Sequence, residues 1–287
     1  MNQNNIIISN TEEFEKKKQS FISGGVEKLH VLSDFDKTLT RAIYSGNRAG
    51  SVISHLRNGK YLSEDYAERA HELFDKYHPI EIDPNIEWEE KNEKMDEWWR
   101  SHKELLIESG FNREIVERCV KEMIDEKYPE FREGVVDFLE SLDENNIPLI
   151  VMTASLGDLV SEFMKQSRVL SDNVHVIGNK FKYDENGEAV SFKKIIHVLN
   201  KHEMEIKDLE VYWELVDKRN VLLLGDNVGD VKMVEGFEYD NLIKVGFLNE
   251  NVEENLEEYK KNYDVVIIGD GDFEFVNGLL GEMNGKV

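Results

Sequence analysis

Cysteine, proline and basic residues are scarce in this sequence, and each shortage argues against a class of protein. A lone cysteine, Cys119, cannot form an internal disulfide, so we expect an intracellular protein in the cytoplasm. Only 4 prolines occur, and no low-complexity linker divides the chain. Lysine and arginine total 35 against 59 acidic residues, which leaves a formal charge of −24. Because phosphate backbones bind basic surfaces, we expect no nucleic acid partner.

Long hydrophobic runs are missing as well. No apolar run approaches the roughly 20 residues of a membrane span, and residues 1–10 lack the basic start and apolar core of a signal peptide. We therefore expect no membrane partner. Hydrophobic residues make up 40% of the 287 positions, which suffices for a sizeable core in one large domain or two smaller ones. We expect a monomer or weak homodimer.

The first chemical signal is a pair of aspartates that follows an apolar run. If residues 29–32 form a strand, Asp34 and Asp36 leave its carboxyl end on the same side, because side chains two apart on a strand point the same way. Ligands of open α/β sheets bind at that edge. Two close carboxylates repel unless a cation lies between them or one is protonated. The alternative interpretation is a solvated acidic loop.

Two further apolar runs also end in polar turns. Residues 147–152 predict a buried strand, and Thr153-Ala154-Ser155 then leads into a helix, which indicates either an anion site or an ordinary helix cap. Residues 221–224 predict another strand, followed by Asp226 and Asp230, each preceded by glycine. Such carboxylates suit an oxygen-ligated metal such as Mg²⁺. A turn rich in glycine and aspartate is the alternative.

Between the first two strands the chain is helical in character over residues 63–127. A helical block inserted there predicts a small domain that covers the site, excludes water and contacts the substrate. We therefore predict a helical cap at residues 51–129 and an α/β core made of residues 1–50 and 130–287.

The remaining pattern alternates strands and helices, which predicts a Rossmann-like parallel sheet flanked by helices. Pro79 and Pro84 are expected to break the helical block. The other predicted elements are an outer helix at 11–24, a crossing segment at 41–59, a helix at 131–142, a hairpin of 174–177 with 181–189, a helix at 193–200, strands at 242–245 and 265–268, and a closing helix at 273–280.

The string from Asp34 to Thr40, with Asp34, Asp36 and Thr38, resembles the Asp-x-Asp-x-Thr signature of the haloacid dehalogenase-like (HAD) phosphohydrolases. That family also needs a serine or threonine after a second strand, a later lysine and an acidic pair after a further strand. Those requirements are matched in order by Thr153, Lys201 and the pair Asp226 and Asp230.

Several longer segments are similar to the cytosolic 5'-nucleotidase III group, the pyrimidine 5'-nucleotidases. The similarity runs from about residue 30 to the carboxyl end. The segments that carry it are residues 34–40, 80–84, 97–102, 196–202, 222–230 and 244–249.

The resemblance implies a role for each core residue. Asp34 is the expected nucleophile, and Asp36 the general acid and base. Lys201 is expected to neutralise charge on the phosphate and Asp34. The expected phosphate-binding residues are Thr38, Thr153, Ala154 and Ser155. The expected Mg²⁺ ligands are Asp34, the Asp36 carbonyl, Asp226 and Asp230, the last acting through water or Lys201.

In the cap, the resemblance implies that Glu81 reads the base together with Ser101, and that Trp98 or Trp99 stacks on it. Core packing is the alternative for the tryptophans. The sequence departs from the family at the turn of residues 153–155, where the family has Ser-Ala-Gly, and in a shorter tryptophan segment. Threonine keeps the hydroxyl group, but the altered cap leaves the base preference open.

The implied activity is that of a Mg²⁺-dependent 5'-nucleotidase, which hydrolyses nucleoside 5'-monophosphates through an aspartyl-phosphate. UMP and CMP are the expected substrates, and 7-methyl-GMP is the alternative that a paired aromatic clamp favours. Two other reactions stay open. One is hydrolysis of a small metabolite such as phosphoserine, and the other is transfer of the phosphoryl group to a second hydroxyl.

Overall fold

The computed structural model describes residues 5–83, 85–192, 195–197, 199–201, 211–235 and 238–285. The strands in chain order are β1 (Ile6–Ile8), β2 (Leu29–Ser33), β3 (Ile43–Tyr44), β4 (Asn47–Arg48), β5 (Leu149–Leu156), β6 (Val174–Asn179), β7 (Phe181–Tyr183), β8 (Ala189–Phe192), β9 (Asn220–Gly225), β10 (Asn241–Leu248) and β11 (Val265–Ile268).

A seven-stranded sheet of order β1-β11-β10-β9-β2-β5-β6 forms the centre of the molecule. All neighbouring pairs in it are parallel except β1 with β11. Every residue of β2 and β9 is buried, as expected for central parallel strands that helices cover on both faces. The predicted parallel α/β sheet is therefore confirmed.

The helices in chain order are α1 (Thr11–Gly24), α2 (Val52–Asn58), α3 (Tyr66–Ile82), α4 (Trp88–Glu108), α5 (Arg113–Asp125), α6 (Val135–Glu144), α7 (Gly157–Gln166), α8 (Val211–Leu215), α9 (Val252–Asn262) and α10 (Glu274–Met283). Helix α1 has the predicted bounds because the Asn10 side chain accepts from Glu13 N, and Gly25 adopts a positive φ of 66° after the last turn. None of the helices in the described part of the chain is both long and apolar enough to cross a membrane.

The helical block 63–127 is confirmed as α3, α4 and α5. Buried residues of α4 and α5 belong to the same hydrophobic cluster as one face of the sheet, so this block and the sheet share a core. The division into a cap at 51–129 and a core stays a prediction.

Several sequence expectations were wrong. Pro79 does not end α3, which continues to Ile82 and contains the proline in its last turn. Pro84 lies outside the described residues. Segment 41–59 contains the β3–β4 hairpin and helix α2 rather than an irregular crossing.

Strand β6 pairs parallel with β5 in the main sheet, while the hairpin is formed by β7 and β8. The predicted helix 193–200 lies partly outside the described residues, and residues 195–197 and 199–201 are not helical. Strand β1 went unpredicted. It pairs antiparallel with β11, so the short apolar segment 6–8 covers that edge of the sheet.

Candidate active site

Three neighbouring strands bring the predicted catalytic residues to one edge of the sheet. Asp34 follows β2, and Asp226 and Asp230 follow β9, its neighbour on one side. On the other side β5 continues past the predicted end at Met152, and an irregularity in its pairing with β6 places Thr153-Ala154-Ser155 in the last part of the strand. The carboxyl-terminal ends of β2, β5 and β9 therefore lie next to one another at this edge of the sheet.

The acidic residues at this edge form a compact cluster. Asp34, Asp226 and Asp230 each offer a carboxylate oxygen, and these oxygens lie within 4.8 Å of one another. Burial raises the pKa of Asp34 to about 6. Burial, followed by the neighbouring charge of Asp34, also raises the pKa of Asp226. Because this crowding favours a bound cation and all donors are carboxylate oxygens, the residues fit a divalent hard metal ion.

Lys201 reaches the same cluster from a turn. Its buried Nζ donates to Asp34 and, at 2.9 Å, to Asp230 Oδ1. Burial alone would lower the pKa of Lys201, but the charges of Asp230 and Asp34 outweigh it and raise the pKa. Lys201 is therefore a fixed cation between two of the carboxylates.

Asp36 lines the same cavity as the carboxylate cluster and is bonded to helix α2. Its Oδ1 accepts a hydrogen bond of 3.0 Å from the Val52 amide at the start of α2. Burial, and secondarily the charge of Asp34, raises the pKa of Asp36 to about 7. A carboxyl group with this pKa can both give and take a proton near neutral pH.

The polar end of β5 is bonded to an asparagine that the sequence analysis did not identify. Asn179 Nδ2 donates to Ala154 O at 2.9 Å and to Ser155 O at 3.3 Å. Thr153 Oγ1 accepts from Ser155 N at 2.9 Å, and the buried Ser155 Oγ has no hydrogen-bond partner among the described residues. Thr38 does not line the cavity, since its hydroxyl donates to Asp34 Oδ2 at 3.4 Å.

Asn179 also positions the segment that carries Lys201. Its Nδ2 donates to Ile196 O at 2.7 Å, and its Oδ1 accepts from Ile196 N at 2.9 Å. Within that segment the Asn200 side chain accepts from His197 N at 2.7 Å. One buried amide thus links the β5 turn to the lysine segment.

A buried arginine supports the loop that follows Asp36. Arg132 Nε donates to Thr38 O at 2.9 Å, and its guanidinium also contacts Lys37 O, Asp270 Oδ1, Gly271 O and Asn249 Oδ1. Nothing in the local sequence around Arg132 indicated this role.

A cavity of about 450 Å³ opens above the carboxylates and extends to the helices α2, α3 and α4. Of the four residues predicted to bind a base, Glu81, Trp98 and Trp99 line it. Ser101 does not. It lines a separate groove on the outer side of α3 and α4, where its Oγ donates to Glu97 O at 2.9 Å.

The lining also includes residues that were not predicted, among them Arg57, Phe74, His78 and His102. Phe74 and His78 stack with their centroids 4.6 Å apart, and Trp98 stacks on Tyr77 at 6.0 Å. His78 Nδ1 and Glu81 Oε2 are 2.9 Å apart. The helical end of the cavity is therefore lined by aromatic rings with one carboxylate, a composition suited to a nucleobase.

The comparisons with known proteins agree with this geometry. A family model described as pyrimidine 5'-nucleotidase (UMPH-1) matches residues 37–284. The chain is 38% identical over 259 residues to the 7-methylguanosine phosphate-specific 5'-nucleotidase of Mus musculus, covering 90% of this chain and 85% of that protein.

Among solved structures, cytosolic 5'-nucleotidase IIIB bound to cytidine superposes with a TM-score of 0.90 at 27% identity, over 99% of this chain and 95% of that one. A phospho-aspartyl intermediate analogue of phosphoserine phosphatase superposes with a TM-score of 0.50 at 15% identity, over 88% of this chain and 97% of that one, which shows a shared fold alone.

Proposed function

The chain belongs to the pyrimidine 5'-nucleotidase (UMPH-1) family and is a 5'-nucleotidase with a HAD-like fold, and from this premise we propose how its residues divide the reaction. The observation that carries the proposal is one cavity with two ends. Asp34, Asp36 and Lys201 lie at the sheet end, and Glu81 with the aromatic rings lies at the helical end.

In the first step Asp34 attacks the phosphorus of a nucleoside 5'-monophosphate. A bond forms between the Asp34 carboxylate oxygen and phosphorus, and the bond from phosphorus to the 5' oxygen breaks, which yields an aspartyl-phosphate and the nucleoside. Lys201 stabilises the negative charge on the phosphoryl oxygens. Thr153, the Ala154 amide and Ser155 hold these oxygens, and Ser155 does so through its unpartnered Oγ, because its amide already donates to Thr153 Oγ1.

Asp36 moves the protons. In its protonated form it gives a proton to the departing 5' oxygen, and as a carboxylate it then takes a proton from the water that attacks phosphorus. That attack breaks the bond between phosphorus and the Asp34 oxygen, which releases inorganic phosphate and restores the Asp34 carboxylate. Its raised pKa of about 7 suits both tasks. The Val52 amide fixes the carboxyl group in place.

Mg²⁺ is the proposed metal, held by Asp34, the Asp36 carbonyl and Asp226, with Asp230 acting through water or Lys201. When bound, it supplies positive charge to the phosphoryl oxygens and to the crowded carboxylates. Asp230 already accepts from Lys201 Nζ and from the Asn227 amide at 3.0 Å, which supports the indirect role.

At the other end Glu81 is proposed to accept hydrogen bonds from the base, and Trp98 or Trp99 to stack on it. Matched relatives are named for 7-methylguanosine phosphate, the family model for pyrimidine nucleotides, and the matched structure for bound cytidine. We therefore propose UMP, CMP and 7-methyl-GMP as the substrates to test. Phosphoserine is a poorer candidate, because it has no ring to fill the aromatic part of a 450 Å³ cavity.

Phosphoryl transfer to a second nucleoside stays a candidate side reaction, since it starts from the same aspartyl-phosphate. The monomeric or weakly dimeric state, the cytoplasmic location and the lack of nucleic acid and membrane partners stay predictions.

The test is phosphate release from UMP, CMP, AMP, GMP, 7-methyl-GMP and phosphoserine in the presence of Mg²⁺, with EDTA as the control. We expect release from pyrimidine or 7-methylguanine monophosphates, abolished by EDTA and restored by added Mg²⁺. Equal release with and without EDTA would contradict the metal proposal. Release from phosphoserine alone would contradict the assignment of the helical end to a base.

A further inference from the structure

Arg57 brings a positive charge into the helical end of the cavity. It lies in the last turn of α2, lines the cavity and holds its guanidinium 4.5 Å above the centroid of Phe74. Among the described residues, its buried Nε has no hydrogen-bond partner, and no ion pair joins the guanidinium to a carboxylate, although the charge of Asp75 acts on it from outside the cavity. Burial lowers the pKa of Arg57, but an arginine stays protonated in proteins.

The position of α2 relates Arg57 to the reacting end. The first amide of the helix, that of Val52, contacts Asp36. Arg57 follows five residues later, which at 1.5 Å per residue is about 7.5 Å further along the helix axis. This separation is close to that between the phosphate and the base of a nucleoside monophosphate. A nucleotide with its phosphate at Asp34 therefore brings its base near Arg57.

The charges that face the base nearly cancel. Among the described residues that line this end, Glu81 carries a negative charge and Arg57 a positive one, and His78 Nδ1 lies 2.9 Å from Glu81 Oε2. His102 is neutral at physiological pH, because burial, and secondarily the charge of Arg57, lowers its pKa to about 3. Without Arg57, the charge of Glu81 would face the base with only the neighbouring His78 against it, and it would attract a cationic base more strongly.

We propose that Arg57 is a specificity-determining residue that favours nucleotides with a neutral base carrying a carbonyl oxygen and disfavours a cationic base such as 7-methylguanine. This inference rests on the proposed function of the site. A guanidinium with an unused N–H donor can bond to a carbonyl oxygen of a pyrimidine, and it repels the positive charge that N7 methylation places on guanine.

The experiment compares kcat/KM for CMP with that for 7-methyl-GMP in the wild-type protein and in R57M. At an effective dielectric constant of about 20, one unit charge several ångströms from the base changes relative affinity by roughly tenfold or more, and tenfold is the lower bound used here. We expect the ratio of CMP to 7-methyl-GMP to fall roughly tenfold in R57M. In R57K, which keeps the charge, the ratio should stay within about threefold of wild type.

The matched control is R69M. Arg69 is 45% exposed on the outer side of α3, pairs with Asp65 and Glu108, and does not line the cavity, so its loss changes the net charge equally and should leave the ratio unchanged. If R57M fails to fold by circular dichroism, R57Q replaces it with the same expectation.

An unchanged ratio in R57M, or an equal shift in R57K, would overturn the inference while the nucleotidase assignment stands. Wild-type protein that releases phosphate from none of the nucleotides would overturn the proposed function and this inference together.

Discussion

Replacing Arg132 with methionine should destabilise the protein strongly, because this residue holds the catalytic loop from behind. Its side chain is 2% exposed. It donates to the carbonyls of Lys37, Thr38 and Gly271, to Asp270 Oδ1 at 3.1 Å and to Asn249 Oδ1 at 2.6 Å. Methionine fills a similar volume but donates no hydrogen bond.

The size of the destabilisation depends on the buried groups that lose Arg132 as a partner. Removing one partner of a buried ion pair typically costs about 3–5 kcal/mol, because the other charge stays buried without compensation. Asp270 keeps the Ala42 amide at 2.6 Å and Arg41 at 3.5 Å, so its charge is partly compensated. The carbonyl of Lys37 keeps Asn249 Nδ2 as a donor at 3.1 Å, whereas those of Thr38 and Gly271 lose the Arg132 donor, which costs about 1–3 kcal/mol for each one left unsatisfied. We expect a total near the upper part of the 3–5 kcal/mol range, or a melting temperature lower by about 6–10 °C.

Urea unfolding of wild type, R132M and R132K measures this cost, with R69M as the exposed control. Arg69 pairs at the surface, so R69M should change the free energy of unfolding by less than about 1 kcal/mol. R132K keeps the charge but loses the planar set of donors and should lie between wild type and R132M. A loss below about 1 kcal/mol in R132M would refute the claim that Arg132 holds this loop.

Two further predictions concern charge. K201M removes the cation that contacts both Asp34 and Asp230. We expect kcat at saturating nucleotide to fall roughly 10²- to 10³-fold, with an unchanged circular dichroism spectrum. A loss of kcat below tenfold would contradict the role of Lys201. Burial lowers the pKa of His102 to about 3 in the folded protein, against an ordinary value of 6.5. Below pH 6.5 the imidazole is therefore protonated in the unfolded chain but not in the folded protein, so the free energy of unfolding falls as the pH drops. Between pH 6.5 and 5 the free energy of unfolding, measured by urea titration, should fall by about 2 kcal/mol more in wild type than in H102Q. The same pH dependence of this free energy in both proteins would refute the prediction.

The edge of the sheet that carries the carboxylates could be predicted, because its strands are recognisable in the sequence as short apolar runs. Strands β2 and β9 are short apolar runs that end directly before Asp34 and Asp226, and burial on both faces requires such runs. Spacing and order along the chain then suffice to bring the carboxylates to one edge, because parallel strands share their carboxyl side.

The supporting residues could not be predicted, because their partners are distant in sequence. Arg132 contacts Asp270 across 138 positions, and Asn179 contacts Ala154 across 25. Each looks like an ordinary polar residue in its local sequence. Arg57 was missed for another reason: α2 has seven residues, too few to show a helical period.

The local sequence pattern also failed to predict the strand partner where contacts between distant segments determine it. The apolar segment 174–177 fits a hairpin as well as a sheet edge, and its parallel pairing with β5 depends on the crossover through α7. Ser101 shares a helix with Trp98 and Trp99, but it lines the outer groove of α3 and α4, so its assignment to the base stays a prediction that the resemblance alone supports.

The central claim is that Asp34 is the nucleophile of a nucleotidase, and rapid acid quenching tests it most directly. Wild-type protein mixed with Mg²⁺ and CMP or 7-methyl-GMP carrying ³²P in the phosphate should show protein-bound label that hydroxylamine releases, together with free phosphate. D34N, which keeps the shape of the side chain but removes the nucleophilic carboxylate, should show neither. Phosphate release by D34N at a rate close to wild type would contradict the account.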